Sequence, residues 1–200
     1  MLPAVLQCRA LRLLSWLVVV PVLAACSGPA APPKDTLVIG FATSLTSTFF
    51  DPGLTPGTGI PLLLQYAQHD ALVRPVRGEA SAPSLAERWS RSADGKTYEF
   101  QLRPGLRFQD GSPLTAEDVQ FTFERYQGAG ARLLKQRVAS IEVVNPLLVR
   151  FHLHQPWPDF MTFYGTTASG AGWIVPKHYI QKVGDEGYRA HPIGAGPYRL

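Results

Sequence analysis

The sequence predicts a mixed α/β fold with antiparallel strands, and two local patterns carry this prediction. In the first, Tyr98, Phe100 and Leu102 alternate with polar residues, and a period of two indicates a strand with one buried face. In the second, Thr115 precedes a segment whose apolar residues recur at helical spacing, with Asp118 placed to complete a capping box. Strands and helices then interleave along the chain without a strict βαβ rhythm, which favours antiparallel pairing.

Turn residues place the neighbouring elements. The Asp94-Gly95 dipeptide is typical of a tight turn, so Ala86–Ser92 is expected to pair with the strand that follows it. Asn145-Pro146 separates two further apolar runs in the same way. The remaining predicted elements, in chain order, are a strand at Leu37–Ala42, a loop at Thr43–Gly57, a helix at Ile60–Leu72, a hairpin of Ile141–Val144 with Leu147–Leu153, and short helices at Pro158–Tyr164 and Pro176–Val183.

The run from Pro83 to Arg125 contains several short strings at fixed offsets. They are Leu85-Ala86-Glu87-Arg88-Trp89, Ser92-Ala93-Asp94-Gly95, Phe100-Gln101-Leu102-Arg103-Pro104-Gly105, Phe108-Gln109-Asp110-Gly111 and Leu114-Thr115-Ala116-Glu117-Asp118-Val119. Together they resemble the signature of the extracytoplasmic solute-binding proteins of ABC importers, in the family (family 5) that takes up peptides, nickel complexes and related solutes. The strings are architectural, so the resemblance indicates a family and no particular ligand.

This resemblance implies a type II periplasmic-binding-protein-like fold, of which the chain would hold the first lobe only, with its inserted α+β subdomain. Residues 35–78 would begin the main sheet of this lobe, residues 79–190 would form the subdomain, and residues 191–200 would return to the main sheet. Near the end, Pro192-Ile193-Gly194-Ala195-Gly196-Pro197-Tyr198 resembles the family motif Pro-x-Gly-Thr-Gly-Pro-Tyr, with alanine in place of threonine. In complete members this motif precedes the midpoint, so we expect an N-terminal piece that lacks the second lobe.

The first 26 residues are typical of a lipoprotein signal peptide. Arg9 and Arg12 supply a basic start, and the apolar stretch from Leu13 to Ala25 is too short to span a bilayer, which takes about 20 apolar residues. It ends in Leu23-Ala24-Ala25-Cys26, which resembles the lipobox of bacterial lipoproteins and implies lipidation of Cys26. The alternative is an ordinary signal peptide with an unrelated cysteine. Residues 27–34, rich in proline and alanine, are expected to form a flexible tether to the membrane.

Charge and cysteine content exclude several classes of function. The formal net charge is +4, and removal of Arg9 and Arg12 with the signal peptide leaves +2, without a basic cluster of the kind that binds nucleic acid. Of the two cysteines, Cys8 would be removed and Cys26 lipidated, so no thiol would remain for catalysis or for a zinc site. The phosphate-loop and nucleophile-elbow motifs of common enzymes are also missing from the sequence. We therefore expect no enzymatic activity and no cofactor.

Two histidines on one predicted strand raise the question of a metal. His152 and His154 lie two residues apart, a spacing that places both side chains on the same face. A third ligand is not evident nearby, and the solvent-exposed face of a hairpin is the simpler interpretation, so no metal site is predicted. His69, His178 and His191 are isolated in the sequence and are predicted to lie at the surface.

Four residues are predicted to contact a solute. Ser44 and Thr46 lie in a hydroxyl-rich loop after the first predicted strand, and binding sites in open α/β folds lie beyond the carboxyl ends of strands. Trp157 and Trp173 belong to a loop-rich aromatic stretch, where rings can line a pocket for an organic solute. For both tryptophans, a place in the subdomain core is the alternative.

With the resemblance, these features imply a lipid-anchored substrate-binding protein of an ABC importer. It would capture a peptide or a similar small organic solute outside the cytoplasm and deliver it to a membrane permease with its ATPase. We expect a monomer that has no nucleic acid partner. The alternative is a secreted enzyme or a sensory lipoprotein built on the same scaffold, because a fold alone does not determine a function.

Overall fold

The computed structural model describes residues 33–36, 38, 40, 46–55, 65–166 and 169–200. The chain divides into two units, Met1–Ser44 and Leu45–Leu200, and the described helices and strands all belong to the second. In chain order these are β1 (Val73–Val76), β2 (Glu79–Pro83), β3 (Ala86–Arg91), β4 (Thr97–Leu102), α1 (Ala116–Arg125), α2 (Ala131–Arg137), β5 (Val138–Asn145), β6 (Leu148–Leu153), α3 (Phe160–Tyr164) and α4 (Lys177–Ala190). Among the described residues, no helix is long and apolar enough to cross a membrane.

A four-stranded antiparallel sheet, in the order β3-β4-β6-β5, is the framework of this unit. Trp89 of β3 pairs with Phe100 of β4, and Phe100 pairs in turn with Val149 of β6. Strands β5 and β6 form the second predicted hairpin. Gly95 in the turn between β3 and β4 has a φ of +70°, a conformation that glycine adopts without strain. Both hairpin predictions are confirmed.

Helix α1 begins where its sequence predicts. The carboxylate of Asp118 accepts hydrogen bonds from the backbone N–H of Thr115, at 2.8 Å, and from the Thr115 hydroxyl, at 3.2 Å. The same carboxylate accepts the backbone N–H of Lys177, the first residue of α4, at 3.0 Å. One nearly buried side chain therefore caps α1 and also fixes the start of α4 beside it.

An aromatic core lies against one face of the sheet. Phe100, Phe151, Phe160 and Tyr164 are each at most 1% exposed. The ring centroid of Phe151 lies 4.8 Å from that of Tyr164 and 5.5 Å from that of Phe160. Tilted ring contacts of this kind add to the stabilisation from burial. In β4 and β6, buried residues alternate with half-buried ones along the whole strand, which confirms the predicted period of two.

The predicted helix Ile60–Leu72 is wrong in its second half. Among its described residues only Gln65 is helical, and a turn follows directly. Ala71 forms an isolated antiparallel β-bridge with Trp173. Backbone groups that pair across to another segment cannot also make the i→i−4 bonds of a helix, so a distant partner overrides the local apolar spacing.

Helix α4 consists of two helical pieces separated at Gly184, whose dihedral angles are not helical (φ 74°, ψ 172°). The first piece ends at Val183, as predicted, and the second, which was not predicted, continues to Ala190. Glycine accepts the positive φ of this break without steric cost. Asp185, directly after this break, makes an ion pair with α1 that is described below.

Several predictions concern residues outside the described ranges. Cys26 and Ser44 lie there, together with the signal peptide, most of the tether and four of the six residues in the predicted strand Leu37–Ala42. The proposed division into residues 35–78, 79–190 and 191–200 stays a prediction.

Candidate functional site

The turn formed by residues 46–55, called the 46–55 turn from here on, carries the predicted binding residue Thr46. Thr46 is exposed, and its hydroxyl lies 3.3 Å from the hydroxyl of Thr48. The base of the turn is closed by Thr55, which is 3% exposed and donates its hydroxyl to the backbone oxygen of Asp51 at 2.8 Å. The turn therefore presents Thr46 to solvent from a hydrogen-bonded base.

A short segment, residues 65–71, contacts this turn. The side-chain N–H of Gln65 donates to the backbone oxygen of Phe49 at 2.5 Å, and Nε2 of His69 lies 3.0 Å from the backbone oxygen of Phe50. The side chain of Gln68 donates in the other direction, to the backbone oxygen of Pro192 at 2.6 Å. Segment 65–71 therefore connects the 46–55 turn to the glycine-rich motif near residue 195.

His69 is buried, which corrects the surface position predicted for it. Its exposed fraction is 0%. Burial disfavours the charged imidazolium and lowers the pKa of His69 to about 4, although the Phe50 carbonyl and the charge of Asp51 act in the opposite direction. His69 is therefore neutral near pH 7, and Nε2 is the protonated nitrogen that can donate to the Phe50 carbonyl.

Trp173 packs against the same segment. It is 1% exposed, and its ring centroid lies 4.8 Å from that of Tyr66. Its backbone pairs with Ala71. Burial, with a further contribution from the charge of Asp70, raises the pKa of Tyr66. The structure thus brings Trp173 and the 46–55 turn to one segment, and their role in solute binding stays a prediction.

Trp157 lies in different surroundings. It is 7% exposed, and its ring centroid lies 5.4 Å from that of Phe163 and 6.0 Å from that of Phe160. Its backbone oxygen accepts the hydroxyl of Tyr98 at 3.1 Å. These contacts are those of a core residue, and solute contact at Trp157 stays a prediction without geometric support.

Buried polar atoms without a partner concentrate around segment 65–71. In the described part of the chain, five such side-chain atoms occur: Gln65 Oε1, Gln68 Oε1, His69 Nδ1, Trp173 Nε1 and the Tyr164 hydroxyl. Four of the five belong to this segment or to the tryptophan that packs on it. An unpaired buried polar atom costs free energy, so a group that donates or accepts here gains more than it would at the surface. Sequence reasoning missed the glutamines because a polar residue on a predicted helix gives no sign of burial.

A surface groove away from segment 65–71 lies at the starts of two helices. It has a volume of about 610 Å³ and is lined by residues at the starts of α1 and α4. Two of its side chains already contact carboxylates: Nζ of Lys177 lies 2.8 Å from Glu117, and Nε2 of His178 lies 3.0 Å from Asp110. Of the predicted solute-binding residues that the structure describes, Thr46, Trp157 and Trp173, none lines it. Charges that are already paired leave little for a polar solute to bind.

Of the two histidines at the end of the second hairpin, only His152, in β6, lies beside a group of charged side chains. Nε2 of His152 lies 2.9 Å from a carboxylate oxygen of Glu142, and Arg150 bridges Glu142 and Glu99 at 3.7 and 2.6 Å. His154 is exposed. Within the described ranges, no group of three or more histidine, cysteine, aspartate or glutamate side chains is arranged to hold a metal ion.

The mixed α/β fold and the ordered signature strings point to one family of proteins. Residues 81–200 match the family described as bacterial extracellular solute-binding proteins, family 5 middle region. The match covers more than half of the chain, and the chain belongs to this family. The resemblance predicted from the signature strings is confirmed.

Curated relatives agree with this assignment. The glutathione-binding protein GsiB of Salmonella paratyphi A is 36% identical over 121 residues, which are 58% of this chain and 23% of that protein. GsiB of Escherichia coli O1:K1 is 35% identical over the same length. The chain therefore spans about a quarter of the length of these relatives. Both of these relatives are named as glutathione-binding proteins.

Solved structures confirm the fold. NikZ from Campylobacter jejuni, in complex with Ni(L-His), matches 84% of this chain and 33% of its own, with a TM-score of 0.67 and 26% identity. The binding protein AgaA from A. tumefaciens R10, in complex with agropinic acid, matches 75% of this chain and 30% of its own, with a TM-score of 0.64 and 29% identity. The chain has a mixed α/β fold of the periplasmic-binding-protein type.

Proposed function

We propose that this chain belongs to a lipid-anchored substrate-binding protein of an ABC importer, which captures a peptide or a similar small organic solute and delivers it to a membrane permease and its ATPase. The observation that carries the proposal is the family match over residues 81–200. Relatives named for glutathione support a peptide-like solute. The relatives solved with a nickel–histidine complex and with agropinic acid support other small organic solutes.

The proposed binding wall of this chain consists of the 46–55 turn and Trp173, which both contact segment 65–71. Thr46, with Ser44 before it, would supply hydroxyl groups, and the indole of Trp173 would supply a ring and one N–H donor. Nε1 of Trp173 is buried and has no partner among the described residues, so a solute acceptor would satisfy it. Trp157 is the weaker candidate, because its contacts are with core residues.

Solute binding is tested by titration calorimetry of the purified protein with reduced glutathione, the tripeptide Ala-Ala-Ala and the nickel–histidine complex. Trp173→Phe keeps a ring and deletes the N–H, and we expect it to weaken binding of the best of these probes about tenfold. Trp89→Phe is the matched control, because the Trp89 indole donates to the backbone oxygen of Ser81 at 3.2 Å, in the β2–β3 region. Failure of all three probes to bind the unaltered protein would contradict the proposal, and equal affinity in both variants would remove Trp173 from the site.

The proposed anchor is a lipid on Cys26, which would hold the protein outside the cytoplasm at the membrane. Labelling of growing cells with radioactive palmitate should mark the unaltered protein and the Cys8→Ser variant. The Cys26→Ser variant should stay unlabelled and leave the membrane fraction. Palmitate incorporation that is unchanged in Cys26→Ser would refute the anchor and leave the binding proposal intact.

A further inference from the structure

A nearly buried arginine joins the 46–55 turn to helix α1. Arg125 is the last residue of α1, and its side chain is 9% exposed. Nη1 donates to Oδ1 of Asp51 at 2.8 Å, and Nη2 donates to Oδ2 of Asp51 at 2.5 Å. This is the two-pronged geometry in which a guanidinium group binds a carboxylate most strongly.

The other side of the same guanidinium group contacts α4. Nε and Nη2 donate to Oδ1 of Asp185 at 2.9 and 2.7 Å, and the group lies 5.6 Å from the ring centroid of Tyr188. The side chain of Asp185 is 56% exposed, whereas that of Asp51 is 0% exposed. If the contact with Arg125 is lost, water can solvate the exposed carboxylate of Asp185, whereas the carboxylate of Asp51 stays buried in the turn.

The 46–55 turn is shaped around this guanidinium group. The backbone N–H of Gly53 donates to Oδ1 of Asp51 at 3.0 Å, and the backbone oxygen of Gly53 accepts the N–H of Gln127 at 2.8 Å. A Cβ at position 53 would lie 2.7 Å from Nη1 of Arg125. Glycine at this position lets the turn approach the arginine closely enough for both contacts.

The charges of Arg125 and Asp51 restrict where the 46–55 turn can lie relative to α1. Burial alone would lower the pKa of Arg125, but the hydrogen bonds and charge of Asp51, and then those of Asp185, raise it. A buried carboxylate that loses its only guanidinium partner is left uncompensated, which is strongly unfavourable. The 46–55 turn therefore has one favoured position relative to α1, and Thr46 begins that turn.

We propose that Arg125 is a positioning residue for solute binding, which acts through Asp51 to hold the 46–55 turn, and Thr46 with it, in the geometry that meets the solute. This inference rests on the proposed function. The turn also contacts Gln65 and His69 through the backbone oxygens of Phe49 and Phe50. Tyr66 of the same segment packs against Trp173, so the arginine holds a turn that shares its neighbouring segment with Trp173.

The test compares three single variants and one double variant of the full chain. Arg125→Gln and Asp51→Asn each break the buried pair, and the double variant removes both charges. Asp185→Asn is the matched control, because it takes a carboxylate from the same guanidinium group without touching the turn. Hydrogen–deuterium exchange of the backbone amides in residues 46–55 reports the order of the turn, with the amides of β4 and β6 as an internal reference. Calorimetry with reduced glutathione and with Ala-Ala-Ala reports binding.

In Arg125→Gln and Asp51→Asn, we expect exchange in residues 46–55 to accelerate about tenfold or more, with little change in β4 and β6, and solute affinity to fall about tenfold. Asp185→Asn should leave both readouts near those of the unaltered protein. The double variant should regain most of the lost thermal stability, because no buried charge is left unpaired. Its turn should still exchange fast and its affinity should stay low, which a purely stabilising role for Arg125 does not predict.

Unchanged exchange in residues 46–55, or acceleration spread equally over the sheet, overturns the positioning role. The positioning role is also overturned if the double variant regains normal solute affinity together with its thermal stability. If the unaltered protein binds neither peptide probe, the link to binding falls, and the nickel–histidine titration described above decides whether the proposed function stands. The exchange experiment then still decides whether Arg125 orders the turn.

Discussion

Two tyrosines in one aromatic core should respond in opposite directions to the same substitution. Tyr98 and Tyr164 are each 1% exposed, and in both cases a change to phenylalanine deletes one oxygen and leaves the ring. The Tyr98 hydroxyl donates to the backbone oxygen of Trp157 at 3.1 Å. The Tyr164 hydroxyl has no hydrogen-bond partner within the described ranges, and burial raises its pKa. The two sites differ in hydrogen bonding far more than in packing.

The expected magnitudes follow from that difference. Loss of a satisfied buried hydrogen bond costs about 1 kcal/mol, so Tyr98→Phe should lower the free energy of unfolding by about that amount. A buried hydroxyl without a partner carries a desolvation cost of about 1–3 kcal/mol, so Tyr164→Phe should raise the free energy of unfolding by about 1 kcal/mol or more. The ring of Tyr164, stacked on Phe160 with centroids 5.2 Å apart, keeps its contacts in the variant.

Equilibrium unfolding in urea, followed by near-ultraviolet circular dichroism, measures both changes as shifts of the midpoint at constant slope. A Tyr164→Phe variant that loses as much stability as Tyr98→Phe would refute the reasoning. It would mean that the Tyr164 hydroxyl is satisfied in solution and that its environment is polar. A changed slope would point to an altered denatured state and would require the comparison to be repeated by calorimetry.

Two further substitutions test segment 65–71. The pKa of His69 is about 4 in the folded state and near 6.5 in the unfolded chain. The contribution of neutral His69 to the free energy of unfolding is therefore fully present above pH 6.5, and it falls by about 3 kcal/mol as the pH drops to 4. The loss should shrink in His69→Gln and persist in the control His154→Gln, and equal pH profiles of the free energy of unfolding would contradict this. A Cβ at Gly196 would lie 2.5 Å from the backbone carbon of Gln68, so Gly196→Ala should cost about 2 kcal/mol in the same assay. The control Gly40→Ala, where no atom of the described residues lies within 4 Å of the added Cβ, should cost far less. Similar losses in both variants would show that the close contact at Gly196 does not exist.

The elements that could be predicted from the sequence are those specified by neighbouring residues. The alternation in β4, the Asp94-Gly95 turn and the cap formed by Thr115 and Asp118 depend on residues within six positions of one another, and all three are found in the structure. Short-range signals of this kind are read directly from spacing and residue type.

The features that could not be predicted depend on partners far along the chain. Asp51 and Arg125 are 74 residues apart, and nothing in either local sequence indicates that they meet. The Trp173 partner of Ala71 ends the predicted helix early for the same reason. Aromatic residues were ambiguous in another way. Trp157 and Trp173 lie in similar sequence surroundings, and only their contacts show that one packs in the main core and the other against Tyr66.

The glycine-rich motif near the end of the described chain gains a physical explanation from segment 65–71. The backbone N–H of Gly196 donates to the backbone oxygen of Gln68 at 2.8 Å. Gln109, from one of the signature strings, accepts the N–H of Gly194 at 3.0 Å and donates to the backbone oxygens of Gln68 and Gly196, both at 3.1 Å. The family motif and the family signature are therefore parts of one contact, and glycine is required where two backbones meet without room for a side chain. Because the 46–55 turn and Trp173 contact the same segment, a displacement of segment 65–71 would also move the turn and Trp173. Segment 65–71 thus links the glycine-rich motif to both parts of the proposed solute site.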